Sequence, residues 1–174
     1  MDPKILERGK MNLVGMTYYG PIGGEGWSEE NQIGKLWQRF NKFCETKWVS
    51  IEDRVINPKL GYEVSIWNED EFKETGGFCI FVGVEVDHLE EVPLELFGKV
   101  LPAGTYAYFT PKGKEITTWE DDFHKGWLIQ SGYQLSTVGN YSFQVQCYED
   151  DRFKGVDNLE ESEIDVYIPI EPAK

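Results

Sequence analysis

Residues 18–37 read YYGPIGGEGWSEENQIGKLW and residues 108–127 read YFTPKGKEITTWEDDFHKGW. Laid over each other without gaps, at a shift of 90 residues, they match at Tyr18 and Tyr108, Pro21 and Pro111, Gly23 and Gly113, Glu30 and Glu120, Lys35 and Lys125, and Trp37 and Trp127. Composition alone gives about one identity in such a window, so the six mark a duplication. The surrounding pattern repeats too. Hydrophobic periodicity predicts a strand over 11–19, a helix over 28–46 and strands over 61–67 and 78–87, then a strand over 104–110, a helix over 117–130 and strands over 141–149 and 163–170.

Each copy is thus strand, turn, helix and hairpin. A half of this size gains by burying its sheet against a twin, so the sequence predicts an α+β fold of tandem strand-helix-strand-strand modules with pseudo-twofold symmetry. The expectation is an antiparallel sheet, two main helices and a central ligand groove. One domain spans 1–174, its halves running over about 1–90 and 96–170. Residues 88–100, acidic and apolar with one proline, read as a crossover. Ser28 is positioned to cap the first helix, with Glu29 and Glu30 in its first turn and Ile33, Trp37, Phe40 and Cys44 as its apolar stripe. Thr117 and Glu120 have capping-box spacing, and Gly126 weakens the middle of the second helix.

Alternation sorts each strand into two faces. Ile80, Val82, Val84 and Val86 form an aliphatic face suited to packing under helices, which leaves Cys79, Phe81, Gly83 and Glu85 on the other. Phe143, Val145 and Cys147 oppose Gln144, Gln146 and Tyr148, while Tyr62, Val64 and Ile66 oppose Glu63, Ser65 and Trp67. Tyr106 and Tyr108 share a face. Pooled, the non-aliphatic faces would display Trp67, Phe81, Tyr106, Tyr108 and Tyr148, a surface suited to a planar organic cation. Glu85, a carboxylate among aliphatics, either faces solvent or lines that site.

Charge agrees with a cationic partner. Seventeen basic against 31 acidic residues give a net charge of −14, which repels nucleic-acid backbones and anionic lipid surfaces. No apolar stretch approaches a membrane span and the start, Met-Asp-Pro-Lys, has no signal-peptide pattern, so the expected location is cytoplasmic. Cys44, Cys79 and Cys147 are scattered core candidates rather than a disulfide framework. His88 and His124 lack metal-site spacing, the acidic runs lack that of a calcium loop, and Gly20–Gly26 lacks a phosphate-binding ending, so neither metal nor cofactor is expected.

Several segments, in order, resemble the GyrI-like effector-binding family, which includes the ligand-binding domains of multidrug-responsive activators and the integron-associated effector-binding proteins. They are Leu36-Trp37-Gln38-Arg39-Phe40, Gly83-Val84-Glu85-Val86, the stretch from Leu101 to Phe109, Trp127 to Tyr133, Val145 to Phe153, and Ile164 to Ile170. The resemblance implies two such modules with hydrophobic cations bound between them. It also implies a buried glutamate in the second-last strand, where this chain has Gln146 within Val145-Gln146-Cys147-Tyr148. Glutamine keeps the hydrogen bonding and loses the charge, which shifts the expected electrostatics to Glu85. The reading is a stand-alone protein that senses or sequesters hydrophobic, aromatic, cationic compounds, with Trp67, Phe81, Glu85, Tyr106, Tyr108, Trp127, Gln146 and Tyr148 as ligand-binding candidates. The resemblance leaves two alternatives: a hydrolase of cyclopropane-bearing genotoxins, with Glu85 as its carboxylate, and a module that inhibits a DNA-handling enzyme through a protein contact.

Overall fold

The computed structural model describes residues 2–23 and 28–173. Residues 24–27, within the glycine-rich turn and its flank, lie outside the described residues. The strands are β1 (Lys4–Arg8), β2 (Met11–Gly20), β3 (Leu60–Trp67), β4 (Phe78–Val86), β5 (Phe97–Leu101), β6 (Gly104–Phe109), β7 (Tyr133–Leu135), β8 (Ser142–Glu149) and β9 (Asp165–Pro172). The helices are α1 (Gln32–Lys47), α2 (Glu69–Thr75) and α3, over residues 119–130. All pairings are antiparallel, in the order β1-β6-β9-β8-β3-β4-β2-β5, with β7 added to β9. That order is a palindrome about β3 and β8: β2, β4 and β3 of the first half mirror β6, β9 and β8 of the second. The predicted α+β architecture and pseudo-twofold layout are what the chain adopts.

The sheet curls until the segment holding β1 and β2 runs antiparallel to the segment holding β5 and β6. Lys4 faces Tyr108 and Arg8 faces Gly104; beyond two-residue breaks in both segments, Met11 faces Leu101 and Gly15 faces Phe97 in the same register. Curling encloses one face of the sheet. Leu13, Tyr62, Val64, Phe81, Tyr106 and Val145 pack against one another there, all buried. The curl needs close backbone approach where Gly15 and Gly83 lie opposite each other, since a Cβ on Gly15 would fall 1.9 Å from the Val82 carbonyl oxygen.

The other face carries the helices. Leu36, Phe40 and Phe43 of α1 pack on Val14, Val82 and Val84, while Trp119 and Phe123 of α3 pack on Phe109, Val166 and Ile168. The buried stripe of α1 is therefore offset from the predicted one, with Ile33, Trp37 and Cys44 only partly buried on its flank. Ser28 does not cap α1. Asn31 does, its Oδ1 accepting from the Gly34 amide at 2.9 Å, while Ser28 Oγ accepts from Glu30, and no acidic residue lies in the first turn. Asn31→Ala is expected to cost about 1 kcal/mol, read as a lower thermal midpoint; an unchanged midpoint would assign the helix start to something else.

The predicted Thr117 to Glu120 capping box does not form either. Thr117 lies in a 3₁₀ turn (Gly113–Thr117) with its hydroxyl donating to the Lys114 carbonyl, and Glu120 accepts from Gln144 instead. Around Gly126, α3 widens into a π turn over Asp122–Trp127. A π turn holds an extra residue, so side chains beyond it rotate relative to an uninterrupted α-helix. The repeat pairs Trp37 with Trp127 in sequence but not in surroundings: Trp127, the last residue of the π turn, stacks on Phe123 and Tyr133.

Among the strands and α-helices of the described residues, β1, β5, β7 and α2 escape the periodicity reading. Each has seven residues or fewer. In particular β5 occupies the end of the predicted crossover at 88–100, and β1 and β5 are the two strands that close the curl.

Candidate functional site

The register fixes what each position on the helix-bearing face meets. One row across the sheet runs Met16, Val82, Glu63, Gln146, Val166 and Phe109. The apolar ends lie beneath α1 and α3, and the two polar residues stand at the centre, where neither helix covers the sheet. The next row places Ser65 beside Gln144. The polar faces of β3 and β8 therefore form the floor of a cleft between α1 and α3, with a volume of about 1100 Å³.

Trp37 and Cys44 of α1 form one wall, and Ile116, Trp119, Glu120 and His124 form the other. Trp67 and Phe72 lie at the cleft end near α2, whose start is fixed by Asn68 accepting from the Asp70 and Glu71 amides. Gly61 keeps the floor open beneath Trp37: a Cβ there would fall 2.8 Å from the indole ring. Trp37 then meets Tyr148 edge-on, with centroids 5.6 Å apart.

Glu63 is 3% exposed at the centre of this floor. Its Oε2 accepts from Trp37 Nε1 at 2.9 Å and from the Tyr148 hydroxyl at 3.3 Å, and its Oε1 accepts from Gln146 Nε2 at 3.3 Å. Among the described residues these partners are all neutral. Burial pushes its carboxyl up to about 7; the Trp37 and Tyr148 hydrogen bonds hold it down in part, and the charge of Glu120 pushes it further up. Glu120, on the wall, accepts from Gln144 Nε2 at 2.6 Å.

Of the sequence candidates, the structure brings Trp67, Gln146 and Tyr148 to the cleft. Phe81 and Tyr106 lie instead in the enclosed core, on the opposite face of the sheet. Glu85 points to that side as well, aligned with Leu13, and accepts from the Tyr62 hydroxyl at 2.7 Å. Tyr108 packs on Tyr167 and hydrogen-bonds Asp165 at 2.9 Å, and Trp127 is on the outer flank of α3, so both lie away from the cleft. Alternation separates the two faces of every strand correctly. It cannot say that the polar face of β3 shares a side with the aliphatic face of β4, which depends on Glu63 aligning with Val82.

Glu63 is the residue that strand patterning misses. Glu63, a carboxylate, is the direct cross-strand neighbour of Gln146, the position at which the resemblance implies a glutamate. A sequence signal exists in the sorting of Glu63 with Ser65 and Trp67, but only pairing with β8 places that face beside Gln146. His124 and Glu120, which are not among the sequence candidates, also line the cleft wall. Among the described residues no group of histidine, cysteine, aspartate and glutamate side chains is arranged to hold a metal ion, and no helix is long and apolar enough to cross a membrane.

A curled antiparallel sheet whose middle strands floor a cleft between two helices defines the GyrI-like class of effector-binding folds. A family model described as integron-associated effector binding protein matches residues 4–170, and the chain belongs to that family. It is 29% identical over 175 residues to the transcriptional regulator BrlR of Pseudomonas aeruginosa, covering 98% of this chain and 56% of the regulator, so it spans little more than half of that relative's length. Among solved structures, SAV2435 bound to tetraphenylphosphonium superposes with a TM-score of 0.67 at 15% identity, over 98% of this chain and 94% of that one. The C-terminal domain of EcmrR superposes at 0.63 and 13% identity, covering 99% and 98% of the two chains. An integron cassette protein from Vibrio cholerae superposes at 0.54 and 15% identity, covering 97% and 95%.

Proposed function

We propose that this chain, acting as one domain from end to end, binds aromatic, lipophilic cations in the cleft, with Glu63 as counter-ion and Trp37, Trp67, Trp119 and Tyr148 as ring contacts. The observation that carries the reading is a carboxylate 3% exposed whose protein partners are all neutral. Burying such a group disfavours its ionised form, and a cation in the cleft restores that form. Aromatic faces around it favour positive charge for the same electrostatic reason. The tetraphenylphosphonium complex of SAV2435 supports this ligand class, and the likeness to a transcriptional regulator supports sensing as the use of binding.

The test is a fluorescence titration of the cleft tryptophans with tetraphenylphosphonium and with rhodamine dyes. Saturable quenching in the micromolar range is expected; no quenching by any of them would overturn the proposal. A second reading, hydrolysis, has one observation in its favour. A carboxyl held near 7 beside the Tyr148 hydroxyl suits general acid-base chemistry, with Glu63 in the role expected of Glu85. Turnover of a cyclopropane-bearing substrate, lost in Glu63→Gln, would establish it.

A further inference from the structure

One acceptor on the cleft floor, the side-chain oxygen of Gln146, has no donor among the described residues. Four donors, Trp37 Nε1, Tyr148 Oη, Gln146 Nε2 and Gln144 Nε2, are each directed at a carboxylate, three at Glu63 and one at Glu120. Gln146 is 6% exposed, and because its amide nitrogen faces Glu63, its Oε1 is turned elsewhere, buried and without a donor among the described residues. A shielded acceptor is costly until a donor meets it, and Gln146 lines the cleft.

Building on the cation-binding reading above, we propose that the site selects aromatic cations that carry N–H donors, such as amino-substituted xanthenes or amidines, over fully alkylated cations of the same shape. One N–H of the ligand meets Gln146 Oε1 while its charge lies against Glu63. A quaternary or fully methylated cation satisfies Glu63 alone. Gln146 is thus a specificity residue: a second glutamate there would add charge, whereas glutamine adds a directional acceptor that only a donor-bearing ligand can use.

Rhodamine 123 and tetramethylrhodamine methyl ester form a matched pair: the first carries free amino groups on its xanthene, and the second has each of those N–H groups methylated. The methylated dye is the more lipophilic, so burial alone would favour it. Isothermal titration of the full chain is expected to show rhodamine 123 binding about tenfold more tightly, the worth of about one hydrogen bond. Gln146→Leu and Gln146→Met each also remove a donor to Glu63, so both dyes are expected to weaken, rhodamine 123 the more, which brings the two affinities within about twofold. Equal affinities in the unmodified chain, or a preference that survives both substitutions, would overturn the selectivity while leaving cation binding in place. Failure of both dyes to bind would overturn the cation-binding reading itself.

Discussion

Glu63→Gln is expected to weaken tetraphenylphosphonium about 100-fold at pH 8 and, at the same pH, to make the protein more stable by about 3 kcal/mol. The two effects have one cause. In the folded chain burial raises the Glu63 carboxyl from an ordinary 4.5 to about 7. The fold therefore favours the protonated form: its contribution to stability is fully present below about pH 4.5 and is lost as pH rises through 7. Each tenfold change in proton affinity is worth about 1.4 kcal/mol, which sets the size of the loss. Glutamine never ionises, so at pH 8 it escapes that penalty. It can still accept from Trp37, and its amide N–H can meet Gln146 Oε1 if the Gln146 amide turns over. Losing the buried anion, however, removes the charge that a permanent cation would meet in a water-poor cleft. Greater stability with retained affinity would separate Glu63 from binding. Weaker affinity with lower stability would mean that the anion holds the fold together instead.

Affinity for a cation of fixed charge is expected to be level above about pH 8 and to fall about 30-fold by pH 5.5. The cation binds the ionised form of Glu63, so below about 7 each complex must first displace a proton, and affinity drops by up to about tenfold per pH unit. Tetraphenylphosphonium has no titrating group, which assigns the dependence to the protein. Around Glu63 stand Trp37 from α1, Gln146 and Tyr148 from β8 and Glu120 from α3, with His124 on the same wall. The pH profile should flatten in Glu63→Gln and persist in His124→Gln. A profile that persists in Glu63→Gln would place the titrating group elsewhere.

A buried carboxylate that costs the fold stability is the kind of residue retained for a site rather than for packing. In Glu63 that cost meets the proposed binding role in one side chain. Its location also explains how Gln146 can occupy the position where the family resemblance implies a glutamate. The two residues are directly opposed across β3 and β8, so a carboxylate stands one strand away, in the same cleft.

The repeat, the two main helices and the six long strands were legible because each rests on local information: periodicity along a helix, alternation along a strand and matching turn residues. The aliphatic face of β4 does pack beneath α1, as its pattern predicts. Short elements were not legible, because β1 and β5 are held by each other's half of the sheet and α2 is only seven residues between an Asn68 and a Gly76 cap. Ser28 failed as a cap for a similar reason. Several polar residues precede α1, and the chain path selected Asn31.

Local pattern was enough to establish a duplicated α+β chain, acidic and rich in aromatic residues, with Trp67, Gln146 and Tyr148 on polar strand faces. Which of those faces look the same way was settled by strand pairing across the whole sheet. Alternation has a period of two and is silent about register, and register alone set Glu63 beside Gln146 on the open side of the sheet while turning Phe81, Glu85 and Tyr106 to the enclosed side.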